Sequence, residues 1–193
     1  MKYSQALTRI APSRTAAMMD RAFELQAAGR DIISLSVGEP DFATPPHVIA
    51  AAKAALDAGE TKYTAVSGTL RLREAAALHF ARDLGITVPA SQTMISAGGK
   101  QAIFHALLAT LDPGDEVLIP APWWVSYPEI VRFAGGTVVA LETTPAAGYR
   151  ITPAQLAAAI TPRTRWLLLN SPVNPTGSVY SADELMEIGR AHV

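Results

Sequence analysis

From about residue 93 onward, short apolar runs alternate with helix signals, and this alternation constrains the fold more than any other feature of the 193-residue sequence. The runs predicted as strands are apolar along almost their whole length, as in Val117 to Ile119 and Arg165 to Leu169. Strands of this kind are buried on both faces, which is typical of a mostly parallel sheet with helices on both sides. The sequence therefore predicts an α/β fold.

Hydrophobic spacing, glycine stops and capping residues define the individual elements. Helices are expected at about Thr15 to Ala28, Pro46 to Ala58, Leu70 to Leu84, Lys100 to Leu111, Ser126 to Phe133 and Pro153 to Ile160. Ser181 to Glu184 reads as a capping box that opens a last helix. Strands are expected at Ile32 to Leu35, Thr93 to Ser96, Val117 to Ile119, Thr137 to Leu141 and Arg165 to Leu169.

Composition excludes several functional classes. The chain is 49% hydrophobic and has 16 basic against 17 acidic side chains, so it can bury a core and lacks the basic excess of a protein that binds nucleic acid or a membrane surface. It has no cysteine, which excludes disulfides and thiolate sites and fits a cytoplasmic location. No metal site is expected, because the histidines show no ligand spacing. They are His47, His79, His105 and His192.

A glycine-rich turn, Ser96 to Gln101, lies between a predicted strand and a predicted helix. Gly98 and Gly99 would let backbone N–H groups converge on an anion at the start of the helix, and Lys100 adds positive charge. The same pattern also fits an ordinary tight turn that needs a left-handed glycine. It is not a Walker loop, because Gln101 follows the lysine, and no G-x-G-x-x-G dinucleotide motif occurs.

Two further segments follow predicted strands and so lie at the edge where open α/β sheets bind ligands. Trp123 and Trp124 come after the strand at Val117 to Ile119, and a stacking surface for a flat ring is one interpretation. Asn174 stands before a proline, which holds it extended and aims its amide at a fixed point. The alternatives are that the tryptophans only cover the core and that the Asn-Pro-Gly segment is an ordinary turn.

Six motifs, in one order and register, together resemble a known family. They are Gly38-Glu39-Pro40-Asp41-Phe42, Tyr63 with Gly68, Gly98-Gly99-Lys100-Gln101-Ala102, Pro113-Gly114-Asp115, Trp124-Val125-Ser126-Tyr127-Pro128 and Asn174-Pro175-Thr176-Gly177. The pattern resembles the class I, fold type I aminotransferases that depend on pyridoxal phosphate, and is most similar to the bacterial aspartate aminotransferase subgroup. The resemblance covers nearly the whole chain.

The resemblance implies a role for each candidate residue. Trp124 would stack on the pyridine ring of the cofactor, and Asn174 would donate a hydrogen bond to its phenolic oxygen. Gly38, with Trp124 and Asn174, would contact the substrate, and Tyr63 would reach the phosphate bound by the neighbouring subunit of a homodimer. The cofactor phosphate would be held by Gly98, Gly99, Lys100 and Gln101. The implied substrates are an amino acid and a 2-oxo acid, namely aspartate and 2-oxoglutarate, with prephenate or related acids as alternatives.

The same resemblance requires segments that this sequence does not contain. The family binds its cofactor as a Schiff base to a lysine in an S-x-S-K-like segment, pairs the ring nitrogen with an aspartate, and binds the substrate carboxylate with a late arginine. No catalytic residue is therefore assigned, since no lysine has that context. The lysines are Lys2, Lys53, Lys62 and Lys100.

Two interpretations of the missing segments follow. Family members run to about twice this length, against roughly 100–200 residues for a single domain, so we expect an N-terminal half that is inactive alone. Residues 1–45 would then form the arm and part of the small domain, and residues 46–193 the front of the large, cofactor-binding domain. The alternative is a non-catalytic module that keeps only the phosphate or cofactor cradle.

Overall fold

The computed structural model describes residues 2–36 and 38–191. The chain forms two compact units: residues up to Ser13 together with those from Lys100 onward, and Arg14–Gly99. The expected division at residue 45 into small-domain and large-domain segments stays a prediction, because these units reflect packing within this chain alone.

The first unit is built on a parallel sheet of three strands in the order β2-β1-β3. The strands are β1 (Glu116–Ala121), β2 (Thr137–Glu142) and β3 (Thr164–Leu167). Each lies within a few residues of its predicted position, and both neighbours of β1 run parallel to it. The first five residues of β1 are buried, as its apolar sequence predicts for a central strand.

Helices cover both faces of this sheet. They are α4 (Gly99–Thr110), α5 (Ser126–Ala134), α6 (Pro153–Ala159) and α7 (Ala182–Arg190). Val117 and Ile119 of β1 belong to a cluster with buried residues of α4 and α5, whereas Leu118 belongs to a second cluster with buried residues of α6 and α7. Because successive strand residues point to opposite faces, the alternation confirms the predicted α/β fold.

Capping interactions fix the ends of several helices. The predicted capping box at Ser181 is present: the Ser181 side chain accepts from the Glu184 N–H, and the Glu184 side chain accepts from the Ser181 N–H. Thr152 and Gln155 form a second capping box at the start of α6. Gly135 ends α5 in the left-handed conformation at φ 96°, as a glycine stop requires.

The second unit contains three α-helices that lie wholly within its described residues, and a 3₁₀ turn at Ala90–Gln92. The α-helices are α1 (Arg14–Ala27), α2 (Pro46–Asp57) and α3 (Leu70–Leu84). Thr69 caps the start of α3 and Gly85 ends it at φ 69°, so the predicted helix over Leu70 to Leu84 is confirmed at both ends. Among the described residues of this unit only Thr93 is buried.

Two predicted strands in this unit are wrong. Residues 32–35 and 93–96 have no strand structure, and Ile33 and Leu35 are 87% and 93% exposed. A strand is stabilised by a paired neighbour, and the described part of this unit offers none. Ile95 instead donates a single backbone hydrogen bond to Ser67.

The N-terminal arm packs on α5 of the first unit. Its short 3₁₀ helix, Gln5–Arg9, ends with the Arg9 guanidinium donating to the Phe133 carbonyl over 3.3 Å. The Ala11 N–H donates to the Glu129 carboxylate over 2.9 Å. Within the described ranges, none of the helices has the length and apolarity needed to cross a membrane.

Candidate functional site

The strand order creates a switch point in the first unit. After β1 the chain crosses to β2 on one side, and β3 then returns to the other side of β1. The carboxyl ends of β1 and β3 therefore lie side by side, which is where open α/β sheets bind ligands. Trp123 and Tyr127 from the β1 side and Asn170 and Asn174 from the β3 side line a narrow cleft at this edge, with a cavity volume of about 10 Å³.

Trp124 is held from two directions. The Lys100 ammonium lies 4.8 Å from the centroid of the Trp124 ring, a cation–π contact. The Tyr127 ring meets the Trp124 ring edge-on, with centroids 5.3 Å apart and planes at 84°. Trp124 also packs, half-buried, against the cluster on the α4 and α5 face. It therefore covers part of the core and at the same time presents an oriented ring beside a cation.

Tyr127 links the Trp124 ring to the cleft. Its side chain belongs to the α4 and α5 cluster, it is only 8% exposed, and burial raises the pKa of its hydroxyl above the ordinary value. The ring is therefore a neutral support at physiological pH. The sequence reasoning did not assign Tyr127 a role; its three-residue spacing from Trp124 at the start of α5 was the available signal.

The loop after β3 places Asn174 by hydrogen bonds. The Asn174 N–H donates to the Asn170 side-chain oxygen over 2.8 Å. The neighbouring Val173 is buried in the α6 and α7 cluster, and its carbonyl accepts from the Gly177 N–H over 2.7 Å. Asn174 itself is exposed, so its amide is free to meet a ligand from an ordered backbone. Asn170 is a second residue whose contribution the sequence reasoning missed.

The glycines at the start of α4 leave room for an anion. Gly98 has φ +85°, and at both Gly98 and Gly99 no atom lies within 4 Å of the position that a Cβ would occupy. The positive φ explains the glycine as a turn residue, and the open space lets a ligand approach the backbone. Lys100 is exposed and Gln101 half-buried in the first turn of α4. The Gly98 N–H donates to the Ser96 carbonyl over 2.8 Å, so an anion would meet the N–H groups at the start of α4 itself.

Gly38 and Tyr63 belong to the other compact unit. Gly38 is exposed and has no atom within 4 Å of a Cβ position, and Tyr63 is fully exposed at 108%. Their roles in contacting substrate and a neighbouring subunit stay predictions.

Among the described residues, no group of three or more His, Asp or Glu side chains is placed to hold a metal ion. His192, one of the four histidines, lies outside the described residues.

Comparison with known proteins gives a consistent result. The family model described as "Aminotransferase class I and II" matches residues 30–192. An aspartate/prephenate aminotransferase of Cereibacter sphaeroides is 53% identical over 182 residues, which is 94% of this chain and 46% of the relative. The aspartate/prephenate aminotransferase of Thermus thermophilus is 48% identical over 190 residues, 98% of this chain and 49% of the relative.

Solved structures agree in fold. The aspartate aminotransferase from Thermus thermophilus with maleate superposes at a TM-score of 0.95 with 48% identity, over 99% of this chain and 50% of that one. The enzyme from Rhizobium meliloti gives 0.93 with 42% identity, over 100% of this chain and 48% of that one. The chain thus spans about half the length of the relatives it matches. A family match over residues 30–192, together with the shared fold, establishes that this chain belongs to the aminotransferase class I and II family.

Proposed function

We propose that this chain is the N-terminal part of an aminotransferase that uses pyridoxal 5'-phosphate to move an amino group between an aspartate-like amino acid and a 2-oxo acid. The observation that supports this most directly is the edge shared by β1 and β3: Trp124, in contact with the Lys100 ammonium, follows one strand, and the hydrogen-bonded Asn174 loop follows the other. The names of the relatives support the substrate class.

The residues fit the cofactor as its binding groups. Gly98 and Gly99 offer space at the start of α4, where N–H groups attract an anion, and Lys100 adds charge for the phosphate. Gln101, in the same helical turn, would complete this cradle. When bound, pyridoxal phosphate acts as an electron sink for bond-breaking at the carbon bearing the amino group.

Trp124 would orient the cofactor ring, and Asn174 would influence its electronic state. The Trp124 ring would stack on the flat pyridine ring, and it is held for this by the edge-on contact with Tyr127 and the cation–π contact with Lys100. The Asn174 amide would donate to the phenolic oxygen and favour its ionised form. Both residues, with Gly38, would also contact the substrate.

A homodimer is part of the proposal. Tyr63 is fully exposed on the second unit, so its hydroxyl is available to the phosphate site of another subunit. The almost complete lack of buried side chains among the described residues of that unit favours its being covered by further protein in the complete assembly. A cytoplasmic location also belongs to this proposal.

The chain alone is proposed to be inactive, because none of its four lysines stands in a segment that would bind the cofactor covalently. The test compares the purified 193-residue chain with the protein encoded by the complete reading frame. Conversion of aspartate to oxaloacetate with 2-oxoglutarate is measured for both proteins.

We expect turnover only from the complete protein. Turnover by the chain alone would contradict the assignment of the missing lysine. A reading frame that stops after Val193 would instead favour the non-catalytic module, and that module would bind pyridoxal phosphate reversibly without turning over aspartate.

A further inference from the structure

We propose that Asn170 is a positioning residue, whose side-chain oxygen fixes the backbone of Asn174 and so aims the Asn174 amide into the cleft. The inference rests on the proposed function for its catalytic consequence, but the hydrogen bond itself is a property of this chain.

The sheet anchors the Asn170 end of this contact. Leu168 continues the pairing of β3 beyond the regular strand, because its N–H donates to the Leu118 carbonyl over 2.9 Å. Leu118 lies at the centre of the sheet and is 0% exposed. Asn170 follows this pair by two residues and is itself half-buried. Its side chain therefore projects from a segment that is hydrogen-bonded to the central strand.

Asn174 has few other ties to the sheet. Val173 is 8% exposed in the α6 and α7 cluster, and it closes the turn by donating to the Ser178 carbonyl over 2.8 Å and accepting from Gly177 over 2.7 Å. These bonds close the turn, and the burial of Val173 in the cluster that contains Leu118 holds it against the sheet. The 2.8 Å bond from the Asn174 N–H to Asn170 Oδ1 ties the backbone of Asn174 itself to the segment that follows β3.

The chemistry of the contact explains the residue type. The interaction needs only a short side chain with an acceptor oxygen at this distance, which Asn and Asp share and Ala lacks. Both Asn170 and Asn174 line the same narrow cleft, so a change in the backbone of Asn174 would alter the position of its amide at this edge of the sheet. Loss of the hydrogen bond to Asn170 would displace the Asn174 amide, and a displaced donor makes a weaker hydrogen bond to its acceptor.

The experiment uses the complete protein with cofactor bound and compares Asn170→Ala, Asn170→Asp and Ser171→Ala. Ser171 is the matched control, since its hydroxyl accepts from the Tyr180 N–H over 3.1 Å in the same loop without touching Asn174. The first readout is hydrogen–deuterium exchange of the peptide spanning residues 173–178. The second is the pH midpoint of the visible absorbance of the bound cofactor, in the wild-type and Asn174→Ala backgrounds.

We expect Asn170→Ala to speed exchange in this peptide roughly tenfold, Asn170→Asp to restore it, and Ser171→Ala to leave the Asn174 region protected. Asn170→Ala should also raise the midpoint, by roughly half a pH unit, and should add nothing to the midpoint of Asn174→Ala.

Three results would each overturn the inference. The exchange rate of the peptide could stay unchanged in Asn170→Ala, or Asn170→Asp could fail to restore the wild-type rate. Asn170→Ala could also shift the pH midpoint of the cofactor absorbance fully in the Asn174→Ala background. One further outcome would refute part of the proposed function instead of this inference. If the exchange results hold but Asn174→Ala itself leaves the midpoint unmoved, the hydrogen bond is established and the cofactor role of Asn174 is refuted.

Discussion

Replacing Trp124 by alanine in the complete protein should loosen the cofactor far more than replacing its neighbour Trp123. In the absence of ligand, the contact with Lys100 is worth about 0.5–1 kcal/mol at an exposed site, and the edge-on contact with Tyr127 about 0.5–1.5 kcal/mol. These contacts hold the ring in place before the cofactor arrives. Stacking on a flat ring then contributes about 1–3 kcal/mol, so the cofactor dissociation constant should rise about 5- to 150-fold.

Trp123→Ala is the matched comparison, because Trp123 is also half-buried against the same cluster and lines the narrow cleft, but takes part in neither the Lys100 nor the Tyr127 contact that holds the Trp124 ring. Cofactor affinity is measured by equilibrium dialysis, and urea unfolding of each variant separates lost packing from lost binding. Trp123→Ala should change the dissociation constant less than about threefold. If Trp124→Ala retains wild-type affinity, or if Trp123→Ala weakens binding as much, the ring-stacking assignment is wrong and Trp124 is a core residue.

Three other outcomes are expected. Asn174→Ala should raise the pH midpoint of the cofactor absorbance in the complete protein, because a donor to the ionised oxygen is lost; an unmoved midpoint would argue against that donor. Hydrogen bonds to the Glu116 carboxylate, first from Thr161 and second from Arg163, hold the pKa of Glu116 below its ordinary value of 4.5. The ionised carboxylate therefore stabilises the fold above pH 4.5, and this stabilisation is lost as pH falls through the lowered pKa. Glu116→Gln should therefore flatten the decline in melting temperature below about pH 4.5, and an unchanged acid profile would contradict this account. Sedimentation of the isolated chain should reveal association, because β2 and β3 are the edge strands of the described sheet. A sharp monomer with a cooperative melt would count against this prediction.

Elements whose signals are local were predictable from the sequence. The helix at Leu70–Leu84 agrees at both ends, because Thr69 and Gly85 act through their own backbone neighbourhood. The three strands of the sheet were predictable for a different reason, namely their apolar runs. The burial on both faces that these runs predict is found in β1, whereas β2 and β3 at the edges are partly exposed. Residues 32–35 have a similar apolar composition but find no strand to pair with among the described residues of their unit, and composition alone does not reveal a missing partner.

The candidate site was predictable as a location but not as a set of contacts. Parallel topology brings the segments after β1 and β3 to one edge, so Trp124 and Asn174 were expected there. The contributions of Tyr127 and Asn170 depend on how a ring packs and how a loop closes. A side-chain oxygen that accepts from a backbone four residues later leaves no distinctive pattern in a segment already rich in Asn, Pro and Gly.

In the first unit, the candidate groups lie next to buried residues. Asn174 follows Val173, which is 8% exposed, and Trp124 leans on Tyr127, which is buried to the same degree. Lys100 lies one helical turn from Ile103 and Phe104, which pack against the α4 and α5 cluster. Groups held in this way need little reorganisation when a ligand binds, and that is the condition under which a hydrogen bond or a stacked ring favours one electronic state of the ligand over another. The core around β1 would thus allow the polar groups proposed at its carboxyl end to act on a cofactor.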